Sequence, residues 1–200
     1  MSKNSIIKLV IGLVVVVIMI YSFSGGQTTE EYIAEIEEER EEQDLFMRNS
    51  SESPFYNNTE SYKGLNHFPI DIKYKIKAKF TEPSSKKIRK LPTNDDLSRE
   101  YLEYGYAEFT LFDKKQSLLI LENVEDEKLF LAFGDETSTE TTYGAGRYLD
   151  VTHGGGGSIT LDFNLAYNPY CAYSDEFSCP LPPRENLLSV PIEAGEKTYQ

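Results

Sequence analysis

Two hundred residues with 33 acidic and 20 basic side chains give this chain a formal net charge of −13. That balance argues against a nucleic-acid partner, whose phosphates reward clustered lysine and arginine. Two cysteines exclude a cysteine-rich scaffold, and the length allows one domain with a sizeable core. No cofactor and no metal are expected, because the two histidines, His67 and His153, stand outside any ligand spacing.

The chain opens on Leu9-Val-Ile-Gly-Leu-Val-Val-Val-Val-Ile-Met-Ile20, which carries no charge and no hydrogen-bonding side chain. Extended to residues 6–23, the run reaches across a bilayer as a helix, with Lys8 snorkelling to the headgroups. Residues 1–24 therefore read as a transmembrane anchor or as a cleaved signal segment. Lys3 and Lys8 stay on the cytoplasmic side. The expected location is the membrane, single-pass, with the C-terminal domain outside the cytoplasm (periplasmic or cell surface).

Residues 28–48 read as an acidic helix. Thr28 and Glu31 make a capping box, and glutamates crowd the positive end of the helix dipole. Its apolar stripe is thin, with Tyr32, Ile33 and Ile36 near the start and Leu45, Phe46 and Met47 near the end. Such a helix is expected to touch the domain only at its ends. Residues 49–65, rich in serine, asparagine and glutamate, read as a linker. Charge is unevenly spread: residues 28–62 hold eleven acids against two bases, for −9, and residues 63–90 hold nine bases against two acids, for +7.

Beyond residue 66 the period falls to two. Ile72, Tyr74, Ile76, Ala78 and Phe80 alternate with Lys73, Lys75, Lys77 and Lys79, which predicts a strand with one core face and one row of ammonium groups. Further strands are expected at residues 104–112, 117–122 and 129–133, joined by short polar turns. Residues 147–151 and 158–163 are expected to pair as a hairpin across the four-glycine turn, and residues 187–193 to form a last strand. The predicted class is mainly β: a single antiparallel β-sandwich or small barrel-like domain over residues 66–197, preceded by the membrane segment and the acidic helix.

Three stretches carry a family likeness: Tyr104-Gly-Tyr-Ala-Glu-Phe-Thr-Leu111, Thr142-Tyr-Gly-Ala-Gly-Arg-Tyr-Leu-Asp150, and Asp162-Phe-Asn-Leu-Ala-Tyr-Asn-Pro-Tyr-Cys-Ala-Tyr173, running on through Cys179-Pro-Leu-Pro-Pro183 to Ala194-Gly-Glu-Lys197. Over roughly residues 55–197 the chain resembles the bacterial family called domain of unknown function 1684, with Ala145 where a further glycine is expected. The resemblance implies an exported or membrane-tethered β domain and assigns no activity.

Candidate ligand-binding side chains concentrate in one region: Arg147, Asp162, Asn164, Tyr167, Asn168 and Tyr170. Two carboxylates beside an arginine, Asp150 and Asp162, could serve as an acid and a base. They could equally satisfy the backbone of an irregular loop. His153 is a weaker candidate base, since no serine or cysteine stands in a nucleophile signature. Tyrosines on an exported β domain either grip a ligand or wedge a proline-rich loop onto the sheet. Cys171 and Cys179 are expected to form a disulfide in an oxidising compartment. Two functions follow: a membrane-tethered domain that binds an envelope ligand or partner protein, or an exported hydrolase using carboxylates of the 147–164 hairpin.

Overall fold

The computed structural model describes residues 27–199. The expected membrane segment, residues 6–23, lies outside these; no helix among the described residues is long and apolar enough to cross a membrane. The chain divides into a unit ending at Glu35 and a unit from Ile36 onward. In the first, helix α1 (Thr29–Asn49) begins on the expected capping box. Glu31 N donates to Thr28 Oγ1 at 3.2 Å, and Thr28 N donates back to Glu31 Oε2 at 2.9 Å.

In the second unit the helix does more than touch at its ends. Ile36 and Met47 are buried, and between them Arg40 donates to the carbonyls of Phe68 (3.0 Å) and Asn164 (2.9 Å). The stripe looked thin because polar side chains supply the middle contacts. The stretch at 49–65 is mostly exposed and is anchored at Ser53 and Phe55. Phe55 is buried among the rings of Tyr62, Tyr173 and Tyr199 at 4.9–5.6 Å.

The rest is one curled, seven-stranded antiparallel sheet in half-barrel form: β1 (Lys75–Thr81), β2 (Ile88–Pro92), β3 (Ser98–Leu111), β4 (Lys114–Asn123), β5 (Leu129–Phe133), β6 (Arg147–Val151) and β7 (Ser158–Asp162). The order is β6-β5-β4-β3-β1-β7, with β2 also on β3. Among the described residues there is no second sheet to make a sandwich. β3 is long enough to carry β1 along residues 106–108 and β2 along residues 98–102. Chain reversal into β4 leaves Leu118 and Ile120 on one face and Leu119 and Leu121 on the other, all fully buried. The larger core takes the first pair with Phe109, Phe133, Leu161 and Phe163. The smaller takes the second pair with Leu91, Tyr101 and Phe130. Gly105 sits on β3 just beyond its pairing with β1, where a Cβ would lie 2.4 Å from the Phe80 ring and 3.0 Å from Thr81 O.

Three expectations are corrected. Residues 72–74 form a 3-10 turn capped by Asp71, so the lysine strand starts at Lys75. β6 and β7 are not a hairpin: β6 pairs with β5 and β7 with β1, and the glycine-rich segment carries the chain between opposite ends of the sheet. Instead, Tyr148 of β6 makes a bridge to Tyr167, just past β7, with N–H···O distances of 2.8 and 2.9 Å. Finally, residues 187–193 are not a strand. They are pinned by side chains, above all Asn186, which is fully buried and bonds Leu119 N (2.7 Å), Leu119 O (2.9 Å) and Ala132 O (2.9 Å). β4 and β5 pair only at residues 121–122 with 129–130. Beyond that pairing the Asn186 amide takes the place of ladder hydrogen bonds.

Candidate functional site

On the face of the smaller core lies a cavity of about 540 Å3. Its floor comes from the sheet: Tyr101 of β3, Phe130 of β5 and Tyr148 of β6. The rings run in series, with Tyr101–Phe130 centroids at 4.9 Å, Phe130–Tyr148 at 5.7 Å and Tyr148–Tyr167 at 6.0 Å, the last two nearly edge to face. Its wall is the irregular segment after β7, where Tyr170 and Phe177 meet at 5.1 Å.

The hydroxyls of the inner rings are already used. Tyr148 OH donates to Pro180 O at 2.7 Å, and Tyr167 OH donates to Asp150 Oδ1 at 2.9 Å. Burial pushes both phenols well above the ordinary tyrosine range, and the Asp150 charge adds to this at Tyr167. They therefore stay protonated donors. Charged groups complete the lining: Arg99, Asp126, Lys128, Asp150 and Glu176, of which Lys128 and Asp126 pair at 3.3 Å.

The structure brings together only part of the candidate set. Tyr167, Tyr170 and Asp150 line the cavity. Arg147 does not: it is 1 % exposed, pairs with Asp135 at 3.1 Å, and donates to the carbonyls of Ile192, Ala194 and Glu196. Asn164 clasps Asp71 through both backbone atoms at 2.9–3.0 Å, and Asp162 accepts from Asn164 N and Nδ2 at 3.1 Å. Asn168 is buried, receiving Glu196 on its N–H and donating to Lys197 O. His153 sits against the Phe80 ring at 4.1 Å, with its nitrogens bonded to Tyr104 OH (3.0 Å) and Gly156 O (3.1 Å). It clamps the glycine turn to the sheet.

Residues 60–197 match a family model described as a protein of unknown function, DUF1684. The chain belongs to the DUF1684 family. Its fold is similar to that of an uncharacterised protein of Haloarcula marismortui solved by solution NMR, at a TM-score of 0.68 and 36% identity, over 85% of this chain and 96% of that one. No curated protein matches the sequence.

The expected disulfide of this DUF1684 domain is not formed. Cys171 and Cys179 are free, buried thiols. The Cys179 sulfur accepts the Cys171 backbone N–H at 3.3 Å and a hydrogen bond from the Cys171 thiol. That bond draws the Cys179 thiol below its usual range and, with burial, pushes Cys171 up. The two sulfurs hold the segment through hydrogen bonds instead of a covalent bond, and Cys179 faces the cavity.

Tyr101, Phe130, Tyr148 and Phe177 were absent from the sequence-based site. Only their strand phase could have found Tyr148: it shares a face with Asp150, opposite buried Leu149 and Val151.

Proposed function

We propose that this chain is a ligand-binding β domain, tethered outside the cytoplasm by its N-terminal apolar segment, that takes a small amphipathic molecule of the cell envelope. The observation that carries the reading is the cavity over Tyr101, Phe130 and Tyr148. Its volume of about 540 Å3 lies within the span of small-molecule sites, about 300–1,000 Å3. Rings whose hydroxyls are engaged within the protein offer their apolar surface to a ligand, while Arg99, Asp150 and Glu176 offer charged anchors. The Tyr148–Tyr167 bridge and the Tyr148–Pro180 bond hold floor and wall together beforehand. This reduces the ordering that binding would otherwise require.

Binding is favoured over hydrolysis by the carboxylates. A general acid and base must converge on one bond, yet Asp150 is held by Tyr167 while Asp162 caps the Asn164 turn.

The probe is 8-anilino-1-naphthalenesulfonate, an aromatic anion matched to the rings and Arg99. Its fluorescence should rise saturably with one site per chain, and Tyr170→Ala with Phe177→Ala should weaken it at least about tenfold. Linear, unsaturable fluorescence would sink the reading. For the tether, fractionation of cells should keep a C-terminally tagged chain in the membrane pellet with the tag accessible from outside. A soluble exported form beginning near residue 25 would show a cleaved signal instead.

A further inference from the structure

A second chamber of about 480 Å3 lies on the other side of Tyr167, Tyr170 and Asp150, which line both spaces. Its remaining wall is one face of α1: Glu39, Glu42, Gln43, Phe46 and Met47, at helical spacings of three and four. Leu149 and Leu165 close the base. The two chambers differ in charge. The first holds Arg99 and Lys128 among its acids, whereas the second holds Glu39, Glu42 and Asp150 and no basic side chain. None of these three carboxylates has a cationic partner within 4 Å among the described residues, although ten such pairs occur elsewhere.

We infer that the second chamber is a binding site for a small organic cation, an ammonium carried on an apolar or aromatic stem. The stem packs on Phe46, Tyr167, Tyr170 and the leucines, and the charged head lies among the carboxylates. Two kinds of complementarity favour this occupant. The face of an electron-rich ring attracts an ammonium, more so when water is displaced. Three carboxylates without a cationic partner, Asp150 among them although it accepts the Tyr167 hydroxyl, stand around an apolar recess, where they raise the local concentration of cations and repel anions. An anionic or neutral ligand would meet the same apolar walls without either gain. The chamber shares Asp150, Tyr167 and Tyr170 with the first cavity and differs in its helix-borne residues, so variants at Glu39 and Glu42 test this inference apart from the proposed function.

The test uses the full chain, isotopically labelled, with three matched probes: phenethylammonium, 2-phenylethanol and 3-phenylpropanoate. Phenethylammonium should shift the resonances of Glu42, Phe46, Leu165 and Tyr170 and bind at least about tenfold more tightly than the alcohol, with the propanoate weaker still. Its affinity should fall as salt rises. Glu39→Gln with Glu42→Gln, both exposed positions, should reduce the preference to within about threefold while leaving anilinonaphthalenesulfonate binding unchanged. The inference is overturned if phenethylammonium leaves these resonances still, if the alcohol binds as well, or if the double variant keeps the preference. Tighter binding of trilysine would also overturn it, assigning the chamber to a basic protein segment.

Discussion

Arg147→Met should destabilise the domain by about 3–5 kcal/mol, the range seen when one partner of a buried ion pair is removed. Arg147 and Asp135 are each 1 % exposed at the side chain. The guanidinium also receives three carbonyls, those of Ile192 (2.8 Å), Ala194 (2.5 Å) and Glu196 (3.1 Å), which tie the C-terminal segment to β6. Methionine restores volume but no donors, so the three carbonyls lose their partner and the Asp135 charge its counter-ion. Domains of this size hold only about 5–15 kcal/mol in total, so thermal melts followed by circular dichroism should show a fall of at least about 6 °C. Arg147→Lys should recover little, because an ammonium lacks the planar fork that reaches four acceptors at once. Adding Asp135→Asn to Arg147→Met should recover part of the loss. A melting temperature within a few degrees of the parent for the single variant would refute the anchoring role.

Glu196 should make stability fall as pH rises toward neutrality, contrary to the usual behaviour of carboxylates. Its side chain is fully buried, and burial pushes its pKa up to about 7, against opposing hydrogen bonds from Asn168 and Tyr173 and the nearby Arg147 charge. The unfolded chain titrates this group near 4.3. Between roughly pH 4.3 and 7 the folded state therefore holds a proton that the unfolded state has lost. The stabilisation is complete below the unfolded pKa and is lost as pH climbs through the folded one, a change of roughly 4 kcal/mol across the window. Glu196→Gln keeps an acceptor for Asn168 N–H, and its new amide donor can turn to the Tyr173 hydroxyl. Chemical denaturation at pH 5, 6, 7 and 8 should show the parent losing stability relative to the variant from pH 5 to 7 and levelling off by pH 8. Parallel curves for the two proteins would remove Glu196 from the account.

Several elements could be read directly because their determinants are local. The capping box set the start of α1, and short apolar runs between polar turns placed residues 129–133 and 147–151 where β5 and β6 are found. β2 was hidden, since Ile88-Arg-Lys-Leu-Pro92 looks like a charged loop and becomes a strand only because β3 extends past β1. The same distinction governs the site. Tyr167 and Tyr170 belong to the candidate set concentrated after residue 147, and they do line a cavity. Arg147 was misjudged although its own strand held the clue: a residue two before Leu149 and four before Val151 faces the same core. Its partners, Asp135 and the 192–196 carbonyls, come from distant parts of the chain, which no spacing near residue 147 announces.

The irregular segment that walls the first cavity also borders the sheet at two places, pairing Tyr167 with Tyr148 on β6 and Pro180 with Thr93 at the end of β2. Leu181 N–H is spent on Pro92 O at 2.8 Å. An open strand edge is a template to which another molecule can add its own strand. Here the template is met by a stretch containing Pro169, Pro180, Pro182 and Pro183, which has few N–H groups left to hand onward. At these two borders an incoming strand would meet carbonyls and pyrrolidine rings in place of a continuing ladder.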